Sequence, residues 1–279
     1  MGSRAERGAT AAVWTAAAGI TAVFLWILAD IVGQGADRLS WDFLLTLPRN
    51  AGRDGGLSSI LVSTGLILAV CMAASLPLGI GTAVLLAEVA GDGVFARIVR
   101  RSLDVLAGVP SIVFGLFGNA FFSKVLGMGF SILSGGLTLA CMVLPVLIRA
   151  AEEGLRSAPA EYRLGAAALG ISRTSTLLHL LLPAALPGLM VGFILGLGRA
   201  AAETAALIFT SGYVDRMPGS LFDSGRALTV HIYDLSMNVP GGERNAYGAA
   251  LVLIALLFAI NTTAWAWASR WRRRRLSAA

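Results

Sequence analysis

Residues 55–87 read GGLSSILVSTGLILAVCMAASLPLGIGTAVLLA, without a single Asp, Glu, Lys or Arg. A helix needs about 20 predominantly apolar residues to cross the hydrocarbon layer of a membrane. The run is longer than one span requires, so its first residues, 55–59, are expected to lie at the membrane interface. This stretch therefore predicts an integral membrane helix.

Five further charge-free runs of comparable character occupy residues 8–29, 105–123, 125–148, 174–198 and 245–269. The whole chain is 56% hydrophobic and only 14% charged, whereas an ordinary soluble domain carries about 25% charged residues. This composition excludes a disordered chain, and it excludes a soluble basic nucleic-acid binder in spite of the net charge of +6. The predicted fold class is all-α: a polytopic integral membrane protein with six transmembrane helices.

The first run allows two interpretations. Arg4 and Arg7 precede it, as basic residues precede the apolar part of a cleaved signal peptide. Its apolar part is longer than the usual 7–15 residues, and no small-x-small cleavage site stands out. An uncleaved first span is the favoured interpretation.

Basic residues predict the orientation of the spans, because Lys and Arg are enriched in cytoplasmic loops. With the N-terminus inside, 14 of the 22 basic residues fall in inner segments and seven in outer segments, leaving Arg199 within a span. Both termini are therefore predicted to be cytoplasmic, in a multi-pass protein of the inner membrane. The tail, residues 269–279 with arginines at 270 and 272–275, is predicted to lie on anionic lipid headgroups.

The sequence lacks the motifs that several kinds of binding and catalytic site require. The chain has no GxxxxGK[ST] phosphate loop, so no nucleotide cofactor is expected on this chain. Cys71 and Cys141 have no companions at metal or redox spacing, and no metal site is predicted. His231 and Asp234 could serve a hydrolase, but no nucleophile elbow accompanies them, and a solvated loop is favoured. No catalytic residue is assigned, and the chain is not expected to be an enzyme.

The inner segment between the fourth and fifth runs predicts a bent pair of helices. Pro159 stands where a first helical turn begins, and Glu161 falls where the helix dipole favours a carboxylate. Residues 160–169 favour a helix that Gly170 can end in a left-handed conformation, and residues 171–178 begin a second helical piece. Such a segment suits a soluble partner that grips it, but a plain connecting loop with some helix fits the pattern equally well.

The spacing around Gly170 resembles the "EAA" signature of binding-protein-dependent ABC importer permeases. Leu164, Gly165 and Ala166 occupy the EAA positions, and Leu180, Leu182 and Pro183 close the pattern. Leu164 stands where the signature has Glu, and Glu161, one turn earlier, is a candidate substitute. The resemblance implies that residues of about 158–178 form the coupling helix, which docks on an ATPase subunit.

Three longer stretches resemble the phosphate-specific permeases of this family. They are LAGVPSIVFGL at 106–116, SILSGGLTLACMVLP at 131–145 and GRAAAETA at 198–205, where Ala202 replaces the usual Gly. The resemblance covers most of residues 58–268, and the short outer loops and overall length are similar to the PstA type of subunit rather than the PstC type.

This resemblance implies a type I ABC importer (MetI-like) permease fold. Residues 1–57 would form the N-terminal end, first helix and outer loop, residues 58–268 the transmembrane domain, and residues 269–279 the basic tail. The implied partners are a homologous PstC-like permease, two PstB-like ATPase subunits that hold the ATP and Mg²⁺, and an extracytoplasmic PstS-like phosphate-binding protein.

Arg199 and Glu203 are predicted to line the substrate pathway, with Thr204 beside them. Their spacing would place both charges on one face near the inner part of a transmembrane helix. Charges within a span are costly and usually face a wet cavity, and the guanidinium fork matches phosphate oxygens. The alternative is a structural ion pair that locks helices together.

Small residues recur every four positions at Gly188, Gly192, Gly196 and Ala200, which predicts close helix packing. The predicted function is the permease subunit of an ATP-driven phosphate importer that works by alternating access. Two alternatives stay open: a permease for another oxyanion such as sulfate or molybdate, and a membrane enzyme or non-transporting receptor.

Overall fold

The computed structural model describes residues 4–91 and 93–276. The predictions made for Arg4, Arg7 and the basic run at 270–275 concern side chains outside this description. The elements, in chain order, are α1 (Arg4–Gly35), α2 (Trp41–Leu45), β1 (Pro48–Arg49), β2 (Asp54–Gly55), α3 (Ser58–Val84), α4 (Val94–Ala107), α5 (Ser111–Gly118), α6 (Ile132–Arg156), α7 (Ala160–Ala168), α8 (Arg173–Thr176), α9 (Leu182–Ala201), α10 (Ala205–Ile208), α11 (Leu228–Met237) and α12 (Glu243–Leu276).

Within the described residues, five helical stretches are long and apolar enough to cross a membrane: Gly8–Arg38, Ser58–Val89, Ile132–Arg156, Arg173–Ala201 and Glu243–Ala266. A sixth span is formed if the pair Val94–Ala107 and Ser111–Val125, which meet at an angle of 101°, is counted as one. The two strands form only a small antiparallel hairpin. The predicted all-α, multi-pass membrane fold is confirmed.

The third and fourth spans differ from the charge-free runs that predicted them. The run at 105–123 is broken between α4 and α5, because Pro110 is extended (φ −59°, ψ 141°) and lacks the N–H needed to continue a helix. The fourth span begins at Ile132 rather than at residue 125. Ser131 determines this start, since its hydroxyl accepts a hydrogen bond from Ser134 N (3.1 Å) and caps α6.

The central core is the contact of α6 with α3 on one side and with α9 on the other. Gly136 lets α3 approach α6 closely, since a Cβ there would lie 2.6 Å from Val70 Cβ. Side chains buried in this core come from both helices and include Ile67, Cys71, Leu139, Val143 and Leu147. Close packing of these side chains fixes the relative positions of the three helices, since van der Waals contact holds helices together within a membrane.

Close backbone contact between α6 and α9 confirms the packing predicted from the small-residue stripe. A Cβ at Gly188 would lie 2.5 Å from Gly154 Cα, and one at Gly192 would lie 2.9 Å from Ala150 Cβ. Gly196 faces Val143 in the same way. The stripe therefore serves to bring two spans together, as in other small-xxx-small helix pairs.

The two ends of the bundle differ in chemistry, and we name them for it. The basic end contains the C-terminal part of α6 together with α4, α7 and α8, with Arg100, Arg149, Arg156 and Arg163. The opposite end contains residues 36–57 and 202–242. α1 meets α12 near the opposite end, where Gly35 contacts Tyr247. None of the residues in the most apolar stretch of α1 is buried against the rest of the described chain.

Candidate functional site

The segment of residues 158–178 at the basic end, which we call the bent segment, has the predicted form. α7 follows Pro159 and ends at Ala168, with Leu169 as its C-cap, and Gly170 then adopts the left-handed φ of +67°. Ser172 then caps α8 by accepting a hydrogen bond from Ser175 N (3.2 Å). Local signals are enough to specify this segment, because proline, glycine and serine each act on their own turn.

The closing positions of the signature determine how the bent segment joins its span. Leu177–Leu181 form a π turn between α8 and α9, and Leu182 and Pro183 follow directly, both half-buried. Proline has no N–H, and its ring collides with the carbonyl four residues back in a regular helix. Widening the turn before Pro183 accommodates the ring, so the chain enters the span without a break.

The other signature positions divide between an exposed face and a buried face of α7. Leu164 is 70% exposed, and Gly165 has no neighbouring atoms around its Cβ position. Ala166 is only 4% exposed and is the one buried residue of α7. Leu169, at 78% exposure, extends the apolar exposed surface. This face is available to a partner.

Glu161, the candidate substitute for the missing signature carboxylate, is exposed on α7. The carboxylate that does contact this helix belongs to Glu88, which follows α3 and forms an ion pair with Arg163. Sequence reasoning missed this pair, and used Arg163 only as an orientation signal. The available hint was that Glu88 is the first charged residue after the long run at 55–87.

At the opposite end, residues 202–227, which we call the return segment, bring two of the motif stretches together. A Cβ at Gly115 of α5 would lie 2.8 Å from Ala206 Cα of α10. Asn119 Nδ2 also donates a hydrogen bond to Phe209 O (2.8 Å). The stretch at 106–116 therefore contacts the residue directly after the stretch at 198–205, although about 80 residues separate the two stretches.

The return segment also completes the start of α6. Backbone N–H groups at the N-terminus of a helix have no partners within the helix. Here Ser131 N donates to Thr210 O (3.0 Å), Ile132 N to Asp223 O (3.0 Å) and Leu133 N to Leu221 O (2.9 Å). The return segment is thereby fixed against the central helix.

The predicted pairing of Arg199 with Glu203 on one helix face is wrong. α9 ends at Ala201, so Glu203 lies beyond the helix, where its Oε1 accepts a hydrogen bond from Ala206 N (3.2 Å). The Thr229 hydroxyl holds the same residue by donating to Glu203 O (2.6 Å). Thr204 follows, half-buried, at the N-cap position of α10. Glu203 therefore caps the next helix, and the roles predicted for Glu203 and Thr204 in transport stay predictions.

Arg199 lies in the last turn of α9, at the opposite end; in the predicted orientation, with both termini cytoplasmic, this is the outer end of the span and not its inner part. Its side chain is exposed, and among the described residues no hydrogen bond or ion pair engages it. A charged side chain within a span is expected to meet a polar partner or a wet cavity. Any such partner of Arg199 must come from outside the described part of this chain.

His231 is not a solvated loop residue, as the sequence had favoured, but is fully buried in α11. Its Nδ1 lies 3.4 Å from Arg226 Nη1, and Arg226 forms an ion pair with Asp234 (3.1 Å). Burial, together with the positive charge of Arg226, lowers the pKa of His231 to about 4, although the carboxylate of Asp234 acts in the opposite direction. His231 is therefore a neutral part of the packed opposite end.

A family model described as "binding-protein-dependent transport system inner membrane component" matches residues 75–275. The chain belongs to this family. It is a transmembrane permease subunit of an ABC transporter and a multi-pass membrane protein. The match begins within α3 and includes most of the core, the bent segment and the return segment described above.

Curated relatives cover most of the chain. The probable ABC transporter permease protein YqgI of Bacillus subtilis is 32% identical over 93% of both chains. The phosphate transport system permease protein PstA 1 of Mycobacterium tuberculosis is 34% identical over 86% of this chain and 81% of its own length. PstA of Mycobacterium leprae is 35% identical over 85% of this chain and 80% of its own length. The resemblance to PstA-type permeases predicted from the motifs is confirmed.

Solved structures support the fold. A chain of the MetNI methionine ABC transporter, in an inward-facing conformation, aligns with a TM-score of 0.59 and 17% identity over 76% of this chain and 96% of that one. At this identity the likeness concerns the fold alone. The predicted MetI-like architecture is confirmed.

Proposed function

We propose that the chain is one of two permease subunits of an ATP-driven importer of inorganic phosphate. Its similarity to the PstA proteins supports phosphate as the substrate. The observation that carries the proposal is Arg199, an exposed guanidinium within a span that no hydrogen bond or ion pair from the described residues engages. Phosphate offers oxygens that match the guanidinium fork, and a water-filled path between two permeases would keep the charge solvated.

The proposed assembly assigns a role to each end of the bundle. The basic end faces the cytoplasm, where the exposed face of α7 docks on one of two ATPase subunits that bind ATP and Mg²⁺. The opposite end faces an extracytoplasmic phosphate-binding protein, and a homologous permease closes the pathway beside α9. Both termini are then cytoplasmic.

Alternating access follows from this arrangement. ATP-driven closure of the ATPase dimer displaces the bent segment, and the spans open the path toward the binding protein. Phosphate leaves the binding protein and passes Arg199 at the outer end of α9. Hydrolysis of ATP then returns the path to its inward-open form.

Uptake of radiolabelled phosphate by cells that express the complex tests the role of Arg199. Replacement of one charge-assisted contact with phosphate costs about 1.5–3 kcal/mol, so we expect Arg199→Ala to reduce uptake by roughly tenfold or more. Arg199→Lys retains the charge without the fork and is expected to be intermediate. Arg216→Ala, which removes an exposed arginine from the return segment, is the matched control and is expected to transport normally.

Normal uptake by Arg199→Ala, at an expression level equal to that of the wild type, would contradict the pathway. The identity of the transported anion is tested separately, by competition of unlabelled sulfate or molybdate with labelled phosphate in cells that express the wild-type complex. If either anion abolishes phosphate uptake at equal concentration, the complex is a permease for another oxyanion.

A further inference from the structure

One arginine attaches the bent segment to two different spans. Arg163 of α7 donates from Nε to Glu88 Oε2 (3.1 Å) and from Nη2 to Glu88 Oε1 (2.5 Å). The same guanidinium donates to Leu155 O (2.9 Å) and Ala158 O (3.2 Å), at and just beyond the end of α6. A bidentate arginine–carboxylate pair fixes direction as well as distance, because both groups are planar.

Little else holds α7 against the spans. Ala166 is its one buried residue, while Leu164 and Leu169 are exposed. A cavity of about 380 Å³ lies between the bent segment and the end of α3. Its lining comes from the end of α3 and the turn after it (Val84, Glu88 and Val89) and from the bent segment, including Arg163, Ala167 and Ile171. The Glu88–Arg163 pair therefore bridges a gap that is not closed by packing.

Glu88 is placed for this contact by the π turn Leu85–Val89, which continues α3. A π turn changes the direction of the residues after it relative to a regular helix, and such turns are frequent at functional positions. The side chains of Glu88 and Arg163 are 18% and 33% exposed, so the pair is partly shielded from solvent. Its electrostatic attraction is therefore stronger than that of a fully exposed pair.

α3 connects this pair to the opposite end. Near its start the Thr64 hydroxyl accepts a hydrogen bond from Leu228 N (2.9 Å), at the first residue of α11. The Ser59 hydroxyl donates to the backbone carbonyl of Asp215 in the return segment. A shift of α3 along or about its axis must therefore change contacts at the end where Arg199 lies.

We propose that the Glu88–Arg163 pair is the link through which displacement of the bent segment is transmitted to α3, and through α3 to the opposite end. Glu88 and Arg163 are positioning residues: they touch neither the transported anion nor the nucleotide. The inference rests on the proposed function, because it requires that a partner moves the bent segment.

A second pair at the basic end provides a matched control. Asp104 of α4 forms an ion pair with Arg149 of α6, and their side chains are 65% and 42% exposed. This pair joins an arginine and a carboxylate at the same end of the bundle, but neither residue belongs to the bent segment or to α3. Loss of the Asp104–Arg149 pair should therefore not affect how movement of the bent segment is transmitted to α3.

The test is the ratio of phosphate transported to ATP hydrolysed, measured in vesicles that contain the complete complex with its binding protein. We expect Glu88→Gln and Arg163→Gln to lower this ratio by about tenfold while ATP hydrolysis continues. The exchanged variant, Glu88→Arg with Arg163→Glu, restores the ion pair but not the hydrogen bonds of Arg163 to the carbonyls of Leu155 and Ala158, so we expect it to recover part of the wild-type ratio. Asp104→Asn should keep the wild-type ratio.

A purely structural role predicts a different result, in which both rates fall in proportion to the amount of assembled complex and the ratio is unchanged. That result, or an exchanged variant no better than the single ones, would overturn the proposed link. Failure of the proposed function is seen separately, in the wild type. If wild-type vesicles accumulate sulfate or molybdate instead of phosphate, the ratio of that anion transported to ATP hydrolysed is measured instead. This ratio still tests the role of the Glu88–Arg163 pair.

Discussion

His231 lies at 0% exposure beneath the turn at 50–52, and no residue in the described part of the chain forms a hydrogen bond with its Nε2 atom. A Cβ at Gly52 would lie only 2.6 Å from His231 Cε1, so the turn covers the ring directly. The charged groups facing the ring are Arg226 and Asp234. Protonation would place a positive charge beside Arg226 in a buried site, which explains why the folded chain favours neutral imidazole.

The opposite end should therefore lose stability in acid. The pKa of His231 is about 4 in the folded chain and about 6.5 when unfolded, so the unfolded chain binds the proton more tightly. The stabilising contribution is fully present above pH 6.5 and declines as the pH falls toward 4. In thermal unfolding of the purified protein between pH 7.5 and 4.5, we expect His231→Gln to show a shallower decline in Tm than the wild type.

His179 provides the control for this measurement, because it carries the same ring at an exposed position. His179→Gln should leave the slope of Tm against pH unchanged. Equal slopes for the wild type and His231→Gln would contradict the assignment of the acid sensitivity to His231.

At the scale of elements, the crossing of α6 and α9 depends on the absence of side chains. A Cβ at Gly188 would meet backbone atoms of Gly154, and backbone cannot move aside as a flexible side chain can. We expect Gly188→Ala to lower the free energy of unfolding by about 1–3 kcal/mol, the usual cost of overpacking. Thermal unfolding in detergent measures this effect.

Gly198, on the same helix, is the matched control because no atom lies within 4 Å of its Cβ position. Gly198→Ala should be neutral or slightly stabilising, since alanine favours a helix over glycine by about 1 kcal/mol. If the two variants unfold at the same temperature, the close crossing does not contribute to stability as described.

The elements predicted well are those that local chemistry determines. The bent segment was predicted to within a few residues because Pro159 and Gly170 act within their own turns. The 101° bend between α4 and α5 was missed, because a charge-free run indicates only that a segment is apolar and does not show where its helix changes direction. The end of α9 at Ala201 was missed for another reason: Glu203 is held outside the helix by Thr229, which is 26 residues away in the sequence.

At the scale of the whole molecule, the proposed orientation places the bent segment and α11 on different sides of the membrane. Leu164 and Met237 are 70% and 71% exposed and suit single cysteine substitutions in a chain with Cys71→Ala and Cys141→Ala. In intact cells that lack the ATPase, a membrane-impermeant maleimide should label Met237→Cys. It should label Leu164→Cys only after the membrane is permeabilised.

Labelling of Leu164→Cys in intact cells would reverse the proposed orientation. This measurement is independent of the substrate, so it examines the topology even if another anion is transported. It also examines the basic-residue argument made from the sequence, because that argument predicts the same sidedness.

The candidate site combines contacts that a single sequence cannot reveal. The motifs predicted which stretches matter, and the structure shows two of them meeting where Gly115 contacts Ala206. The Glu88–Arg163 pair joins residues 75 positions apart, and no periodicity or spacing rule relates them. Arg199 was identified from the sequence as a charge within a span. Its position along that span could be determined only from the structure, which shows that α9 ends at Ala201.

The hydrogen bonds between the return segment and the start of α6 also have a consequence in time. The first N–H groups of α6 are satisfied by carbonyls of Thr210, Leu221 and Asp223, which the ribosome adds about 80–90 residues later. At roughly 5–20 residues per second, this is a delay of about 4–18 seconds. During synthesis the first N–H groups of α6 therefore lack these partners until the chain has been extended well beyond α9.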